Sequence, residues 1–410
     1  MTRKVICAIF LLASVAAAQP KRADPPALPQ SGMPFLATDA QGGVLLSWID
    51  PAPKDQNSLR YAKWTGAGWS AANTIASGKN WFINWADFPA IAALPDGSLL
   101  AHWLTRNAGA KSYGYGLRVA RKAGGSEQWN QIFSASLDNT SDYAGFLSFA
   151  VNGNSAGAIY LAPPPDAPKT GPKGHALEGD DEVEHRKTLR YVSFAPDGKV
   201  LHDRELDADT CSCCQTTVVP TSKGVLAAYR DHLDGEIRDI AVTRMVDGVW
   251  TRPEPLHRDG WKINACPTDG PSAAARGDNV AVAWFTRAQD KPRVQLALSS
   301  DAGVTFSEPV RLDDGNPVGR ASASVFDDAS YLIAWLERRE DGKADLRLRR
   351  VDRGGAKHPS VTAATVSAGR STGLPRLVVS GDQIILAWRD EQVRAAWYSR
   401  ADYLTLEQKH

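Results

Sequence analysis

A pattern of roughly fifty residues recurs seven times along this 410-residue chain and constrains the fold more than any other feature. Each unit has a short apolar strand, a turn, a second strand that ends in an aromatic residue, and a third strand of alternating polarity. The second-strand aromatics are spaced 51 to 69 residues apart: Trp48, Trp103, Tyr160, Tyr229, Trp284, Trp335 and Trp388. Segments such as WSAANTI and FSEPVRL supply fourth strands. The pattern predicts an all-β β-propeller of four-stranded blades, seven by this count and six as the alternative.

Packing between blades accounts for much of the high tryptophan count, which is 13. The seven second-strand aromatics are predicted to be buried between neighbouring sheets rather than to bind a ligand. The seventh unit lacks a clear fourth strand, and the segment YLTLEQ at 403–408 is predicted to supply it.

The N-terminal segment predicts export. Residues 1–18, MTRKVICAIFLLASVAAA, place a charged start before an apolar stretch and three alanines, which is typical of a signal peptide; a buried first strand is the alternative. Residues 19–32 are Pro-rich and predict an extended lead-in, and residues 33–410 form the predicted propeller. We expect a periplasmic or extracellular protein with no transmembrane anchor after cleavage.

The charge balance argues against a nucleic-acid partner. Lys and Arg total 47, Asp and Glu total 46, and the formal net charge is +1. No long basic run provides the electrostatic surface on which binding to a phosphate backbone depends.

One turn in the fifth unit carries a recognisable motif. The segment SSDAGVTF at 299–306 matches the Asp-box pattern S-x-D-x-G-x-T-[FW], through Ser299, Asp301, Gly303, Thr305 and Phe306. The Asp carboxylate caps backbone N–H groups of a tight turn, the Gly relieves the backbone, and the aromatic packs inward. Over nearly its whole mature length the chain resembles the sialidase-like superfamily of Asp-box (BNR-repeat) propellers. The Asp-box is structural, so it supports the fold better than it supports a reaction.

The resemblance indicates which face holds a site. In such propellers the Asp-box turns lie away from the active site, so the links between blades are expected at the functional mouth. The candidate carboxylate-binding residues, whose guanidinium groups match a carboxylate with two bonds, are Arg230, Arg320 and Arg376. Asp87 and Asp142 are the candidate acid/base residues of a sialidase-type exo-glycosidase. The strand at 33–36 lacks the Arg that sialidases carry there, and no Tyr–Glu nucleophile pair is recognisable.

Four cysteines follow the predicted signal peptide: Cys211, Cys213, Cys214 and Cys266. The first three precede the first strand of unit four, and Cys266 precedes that of unit five. Equivalent positions in adjacent blades are expected to be close together. Disulfides are one interpretation, with Cys213–Cys266 and Cys211–Cys214 as the least strained pairing. The other is a thiolate site for Cu(I) or Zn(II).

Three functional hypotheses follow. The first is an exported sialidase-like propeller that binds a small anionic or glycan ligand at its mouth, with or without glycosidase activity. The second is a non-catalytic periplasmic protein whose cysteines bind a soft metal or act in redox chemistry. The third is a protein-docking scaffold. The long loop at 162–185 is interpreted either as a solvated loop or as a lid or hard-metal site over the mouth.

Overall fold

The computed structural model describes residues 19–109, 114–137, 142–165 and 186–409. These residues form seven antiparallel sheets arranged in a ring. The first strand of each sheet contacts the first strands of the sheets on both sides, so seven inner strands surround a central axis. The predicted all-β propeller of seven blades is confirmed, and the alternative of six blades is wrong. The predicted signal peptide at 1–18 and residues 166–185 of the long loop lie outside the described residues.

The strands follow the predicted order, four to a blade, with one exception in the fourth blade. In the first half of the chain they are β1 (Lys21–Arg22), β2 (Gly32–Thr38), β3 (Val44–Ala52), β4 (Gln56–Lys63), β5 (Asn73–Gly78), β6 (Ala90–Ala93), β7 (Leu99–Arg106), β8 (Tyr115–Lys122), β9 (Trp129–Ala135), β10 (Gly145–Asn152), β11 (Ser155–Ala162), β12 (Lys187–Phe194) and β13 (Val200–Thr210).

In the second half the strands are β14 (Thr217–Thr221), β15 (Gly224–Arg230), β16 (Ile240–Val246), β17 (Val249–Trp250), β18 (Glu254–Pro255), β19 (Ser272–Arg276), β20 (Asn279–Thr286), β21 (Arg293–Ser299), β22 (Val310–Arg311), β23 (Pro317–Val325), β24 (Ser330–Arg338), β25 (Lys343–Asp352), β26 (Lys357–Ser367), β27 (Arg376–Ser380), β28 (Gln383–Asp390) and β29 (Gln392–Ser399). The fourth strand of the fourth blade is divided into two short segments, β17 and β18, which both pair with β16. One α-helix, α1 (Arg400–Glu407), follows the last strand.

The ring closes with a strand from the N-terminal side of the chain. Strand β1 pairs antiparallel with β29, so it is the fourth strand of the seventh blade. The carboxylate of Asp24 reinforces this edge by accepting bonds from Arg394 Nη1 (3.0 Å) and Ala395 N (3.1 Å). The prediction that 403–408 supplies this strand is wrong, because those residues belong to α1.

Helix α1 begins where a side chain caps it. Ser399 Oγ accepts a hydrogen bond from Asp402 N at 3.0 Å, as an N-cap residue does. Tyr403 and Leu406 are three residues apart, share one helix face and are buried against the sixth and seventh blades. Because β1 already pairs with β29, the C-terminal segment does not join the sheet, and it satisfies its backbone hydrogen bonds by forming a helix. None of the helices in the described ranges is long and apolar enough to span a membrane.

The second-strand aromatics contribute large side chains to the core between blades. Six of the seven are buried, and Trp48, Trp284 and Trp335 are fully inaccessible. Trp103 is only half-buried and stacks on Trp81 with ring centroids 6.0 Å apart, so the prediction of burial is wrong for this residue.

The turn at 299–306 has the hydrogen bonds expected of it. Asp301 Oδ1 accepts bonds from the backbone N–H groups of Val304 (2.9 Å) and Thr305 (3.0 Å). Gly303 has a φ of 80°, a conformation that glycine adopts without strain, and Phe306 packs against the core of the neighbouring strands. The turn joins β21 and β22, on the face opposite to the links between blades.

Candidate functional site

The links between blades define one face of the ring, called the mouth here, and the link at 80–88 crosses it. This link belongs to the second blade, yet it contacts blades on the far side. Gln215 Nε2 in the fourth blade donates to Ala86 O at 2.7 Å. The Arg320 guanidinium of the sixth blade lies 4.8 Å from the centre of the Trp85 ring. The mouth end of the axis is therefore covered by a segment of the chain itself.

Asp87 lies in this link and is buried against the third blade. Its carboxylate accepts hydrogen bonds from Tyr115 OH and from Phe146 N, both at 2.9 Å. Burial raises the pKa of Asp87 to about 7, although the two hydrogen bonds act in the opposite direction. A Cβ at Gly145 would lie 2.0 Å from Asp87 Oδ2, so glycine is required for this approach. The acid/base role of Asp87 stays a prediction, and its contacts give it a structural task between two blades.

Asp269 repeats this arrangement between the fifth and sixth blades. It accepts a bond from Arg320 N at 2.9 Å, and a Cβ at Gly319 would lie 2.0 Å from its Oδ2 atom. Phe146 and Arg320, which follow these glycines, have positive φ angles of 54° and 62°, and the register of both first strands shifts there. Burial also raises the pKa of Asp269 to about 7. Each buried carboxylate therefore fixes a bulge at the start of the next blade.

Asp142 pairs with a lysine that the sequence analysis did not select. Its Oδ1 accepts hydrogen bonds from Lys187 Nζ and, at 2.8 Å, from Tyr143 N. Lys187 is fully buried, and its Nζ atom lies 4.0 Å from the centre of the Tyr143 ring. Burial lowers the pKa of Lys187, and Asp142 opposes that shift. The predicted acid/base role of Asp142 stays untested, while the structure shows it compensating a buried cation.

Arg230 and Arg320 are bonded to backbone carbonyls. Arg230 is 1% exposed and donates to Asp269 O (2.7 Å), Arg238 O (2.6 Å) and Phe285 O (2.8 Å). Arg320 Nη1 donates to Gly369 O (2.9 Å) and Gly373 O (3.0 Å). These bonds join neighbouring blades. The prediction that both residues bind a ligand carboxylate stays untested.

Arg376 has a different environment. Its guanidinium lies 3.8 Å from the Phe88 ring centre and 5.0 Å from that of Phe35. Nε donates to Pro34 O at 3.4 Å, while Nη2 is buried and has no hydrogen-bond partner among the described residues. Burial lowers the pKa of Arg376. The structure thus brings Arg230 and Arg320 together around Asp269 and gives Arg376 a separate set of contacts.

Arg376 lines a cavity of about 620 Å³ along the propeller axis. The inner strands form its wall, from Arg376 and Gln215 at the mouth end to Asp39 and Arg276 at the other end. Small and aliphatic side chains dominate this wall.

The cysteines of the fourth-blade link form the tightest cluster of metal-ligating side chains in the described ranges. The Sγ atom of Cys211 lies 3.4 Å from that of Cys214 and 3.9 Å from that of Cys213, and the three sulfurs all lie within 4.8 Å of one another. Cys211 and Cys214 are 2% exposed and Cys213 is 8% exposed. Cys266, from the next link, is exposed, and its interaction with Cys213 lowers its pKa. None of these four cysteines forms a disulfide, and a site shared by all four stays a prediction.

Polar and cationic groups surround this cluster. Hydrogen bonds from Cys213 and Cys214 hold the pKa of Cys211 well below its usual value, and Arg230 adds to the effect. Burial raises the pKa of Cys213. Tyr143 OH donates to the carbonyl of Ser212, inside the CxCC segment. The cluster is therefore held between an aromatic ring and a cationic side chain.

An aromatic column leads away from the cluster across the mouth. The Tyr143 and Tyr115 rings are stacked at 4.8 Å, and the Tyr115 and Phe82 rings at 3.9 Å. Burial raises the pKa of both tyrosines well above their ordinary value. No periodicity in the sequence identifies this column, since its three rings come from two links and one strand.

A group of acidic side chains around His232, beside the cysteine cluster, was also not predicted from the sequence. His232 Nδ1 lies 3.0 Å from Asp209 Oδ1, and its Nε2 lies 3.5 Å from Glu236 Oε1. Burial, followed by the charge of Asp207, raises the pKa of Asp231 to about 7. The signal in the sequence is the run Arg230-Asp231-His232 directly after a second-strand aromatic.

Comparison with known proteins identifies the fold. No protein-family model and no curated protein matches the sequence. Among solved structures, the BP39L lectin from Burkholderia pseudomallei is 13% identical with a TM-score of 0.59, over 91% of this chain and 97% of the lectin. A PL25 ulvan lyase is 12% identical with a TM-score of 0.52, over 95% and 98% of the two chains. The NanB sialidase from Streptococcus pneumoniae is 11% identical with a TM-score of 0.45, over 93% and 70%.

These neighbours share the propeller architecture with this chain. At such low identities the likeness concerns the fold, and the sialidase likeness is too distant to carry an argument about catalysis. The set of glycan-related propellers to which the chain is similar includes a lectin, a polysaccharide lyase and sialidases.

Proposed function

We propose that this chain is an exported propeller that binds one soft metal ion, Cu(I) or Zn(II), through a thiolate centre at its mouth. The observation that carries the proposal is the convergence of the buried Cys211, Cys213 and Cys214, whose sulfurs lie within 4.8 Å of one another. Cys266 of the neighbouring link, whose pKa is lowered by interaction with Cys213, is the candidate for a fourth ligand.

The spacing of the sulfurs suits coordination. Four thiolates at the usual zinc–sulfur distance of about 2.3 Å lie about 3.8 Å apart in a tetrahedral site. The separations of 3.9 Å and 3.4 Å from the Cys211 sulfur are close to that value. An ion can therefore be held with small side-chain adjustments and no movement of the blades.

The charges around the centre support the same function. Several thiolates in a buried site need cationic compensation beyond that of one ion. Arg230 supplies positive charge beside Cys211 and Cys214, and Arg238 does so beside Cys266. Soft sulfur ligands favour Cu(I) and Zn(II) over Mg(II), Ca(II) and Mn(II), for which oxygen ligands are preferred.

Metal analysis of the mature protein tests the proposal. We expect about one Cu(I) or Zn(II) per chain after anaerobic reduction and loading, with sulfur neighbours at about 2.3 Å by X-ray absorption spectroscopy. Cys214→Ser abolishes stoichiometric binding. Ser371→Ala, at an exposed serine of another mouth link, is the matched control and leaves binding intact.

Thiol counting provides the opposing result. A protein that binds no soft metal after reduction contradicts the proposal. If the oxidised protein also has no free thiol, with Cys213 bridged to Cys266, the disulfide interpretation replaces it.

A second candidate function is the binding of a small anionic or glycan ligand, and Arg376 favours it. A buried guanidinium nitrogen without a partner is costly, and a carboxylate would satisfy it with charge-assisted hydrogen bonds. The similar ulvan lyase is described as bound to a glycan that contains glucuronate and sulfated rhamnose, so an acidic sugar is a reasonable first probe.

Calorimetric titration with glucuronate tests this second candidate. We expect Arg376→Gln to weaken binding by about 1.5–3 kcal/mol, the range for hydrogen bonds to charged groups. Arg353→Gln, at an exposed arginine, is the control and leaves affinity unchanged. Equal affinity in wild type and Arg376→Gln refutes the role of Arg376.

A further inference from the structure

We infer that Cys266 is the exchange ligand of the thiolate centre, through which a Cu(I) ion is transferred to or from a thiol of another molecule. This inference rests on the proposed metal-binding function. It treats the ion as cargo rather than as a permanent structural group.

Burial separates the four cysteines into two classes. Cys211, Cys213 and Cys214 are at most 8% exposed, so an external thiol cannot approach their sulfurs. Cys266 is exposed, and it interacts with Cys213 from the neighbouring link. Among the four cysteines of the described residues, Cys266 is therefore the one that an incoming ligand can reach.

The positions of the cysteines in the chain also separate the buried three from Cys266. The three buried cysteines lie within four consecutive residues, so they move together with one link. Cys266 belongs to the next link, between an anchor at Ile263, whose N–H donates to Glu236 O, and one at Gly270, whose N–H donates to Gln215 Oε1. Both bonds are normal in length, 2.9 Å and 2.8 Å. Cys266 can thus leave the ion without disturbing the buried three.

Cu(I) suits such an arrangement because it accepts low coordination numbers with soft ligands. In the transfer step an acceptor thiol forms a new Cu–S bond while the Cu–S bond to Cys266 breaks. The proton of the acceptor thiol moves to the Cys266 thiolate. Copper stays Cu(I), and no electron is transferred. The remaining thiolates are then displaced in turn.

The test compares rates of copper release rather than affinity alone. Mature protein loaded with one Cu(I) is mixed with excess glutathione and the chromogenic chelator bathocuproine disulfonate, and formation of the copper–chelator complex is followed by stopped flow. We expect Cys266→Ser to retain one Cu(I) but to transfer it roughly tenfold faster, since the coordination position that the acceptor thiol attacks is then no longer occupied by a thiolate. Ala265→Ser, in the same exposed segment, is the control and transfers at the wild-type rate.

The outcomes separate this inference from the proposed function. If the wild-type protein binds no Cu(I), the thiolate centre itself is refuted. If wild type binds Cu(I) and Cys266→Ser transfers at the same rate, only the exchange role is refuted. If Cys266→Ser loses stoichiometric binding, Cys266 is a required ligand and the exchange role is again refuted. Circular dichroism establishes that each variant is folded.

Discussion

His102 is a buried histidine that should make the stability of this propeller depend on pH. It lies on β7, is inaccessible to solvent, and packs edge-on against Phe149 with ring centroids 5.7 Å apart. Neither ring nitrogen has a hydrogen-bond partner among the described residues. Burial lowers the pKa of His102 to about 3, far below its value in an unfolded chain. We predict that His102→Leu is more stable than wild type, and increasingly so in acid.

Two effects set the size of the expected stability difference between His102→Leu and wild type. Removing two unsatisfied buried nitrogens is worth about 1–3 kcal/mol in the free energy of unfolding at neutral pH. In addition, the unfolded state takes up a proton below about pH 6.5 while the native histidine stays neutral, so wild type loses stability as the pH falls from about 6.5 toward 3. Each pH unit in that window is worth up to about 1.4 kcal/mol, which gives about 2.5 kcal/mol between pH 7.5 and 4.5.

Urea unfolding at a series of pH values measures both effects. The difference between His102→Leu and wild type cancels the titration of all other groups and should widen as the pH falls. His102→Gln is the matched control, because it keeps a buried polar group but does not titrate. His102→Gln should differ from wild type in stability by an amount that depends on pH in the same way, but without the higher stability that His102→Leu has at neutral pH. A difference that is independent of pH between 7.5 and 4.5 would refute the reasoning.

Three further predictions concern the contacts between blades. Asp24→Ala removes the hydrogen bonds from Arg394 and Ala395 that hold the closing strand, and it should lower the free energy of unfolding by about 1.5–3 kcal/mol in urea titration. The control Asp328→Ala, at an exposed carboxylate, should change that free energy by less than about 0.5 kcal/mol. The raised pKa of Asp269 means that the native state binds its proton more tightly than the unfolded state, so this residue contributes stability that is lost as the pH rises from about 4 to 7. Asp269→Asn should remove this pH-dependent part of the free energy of unfolding. Identical dependence of stability on pH in wild type and variant would contradict the prediction. Arg230→Lys should lower the melting temperature in calorimetry, because lysine cannot donate to three separate carbonyl groups; an unchanged melting temperature would show that those bonds contribute little.

The amino-acid sequence by itself determined the architecture of this protein. Seven repeats of similar length each encode strands that cannot bury both faces alone, so the units must stack into one closed ring. The same regularity predicts that the two cysteine segments are neighbours. Cys214 and Cys266 precede first strands of consecutive units, and equivalent positions of adjacent blades are neighbours in space.

Only the tertiary structure decided what the mouth residues contact. Arg230, Arg320 and Asp87 were selected because their positions in the repeat place them at the mouth, yet their partners include backbone groups of neighbouring blades, 39 to 59 positions away in the chain. Such partners depend on how the links fold over one another, and the link at 80–88 has no repeat to predict its path. The closing strand was misassigned for a similar reason. Residues 21–22 pair with β29, whereas the segment that follows β29 is capped by the Ser399 side chain and forms α1. Local pattern determines each blade because its strands pair with adjacent sequence, whereas the site is built from non-local contacts that no local pattern encodes.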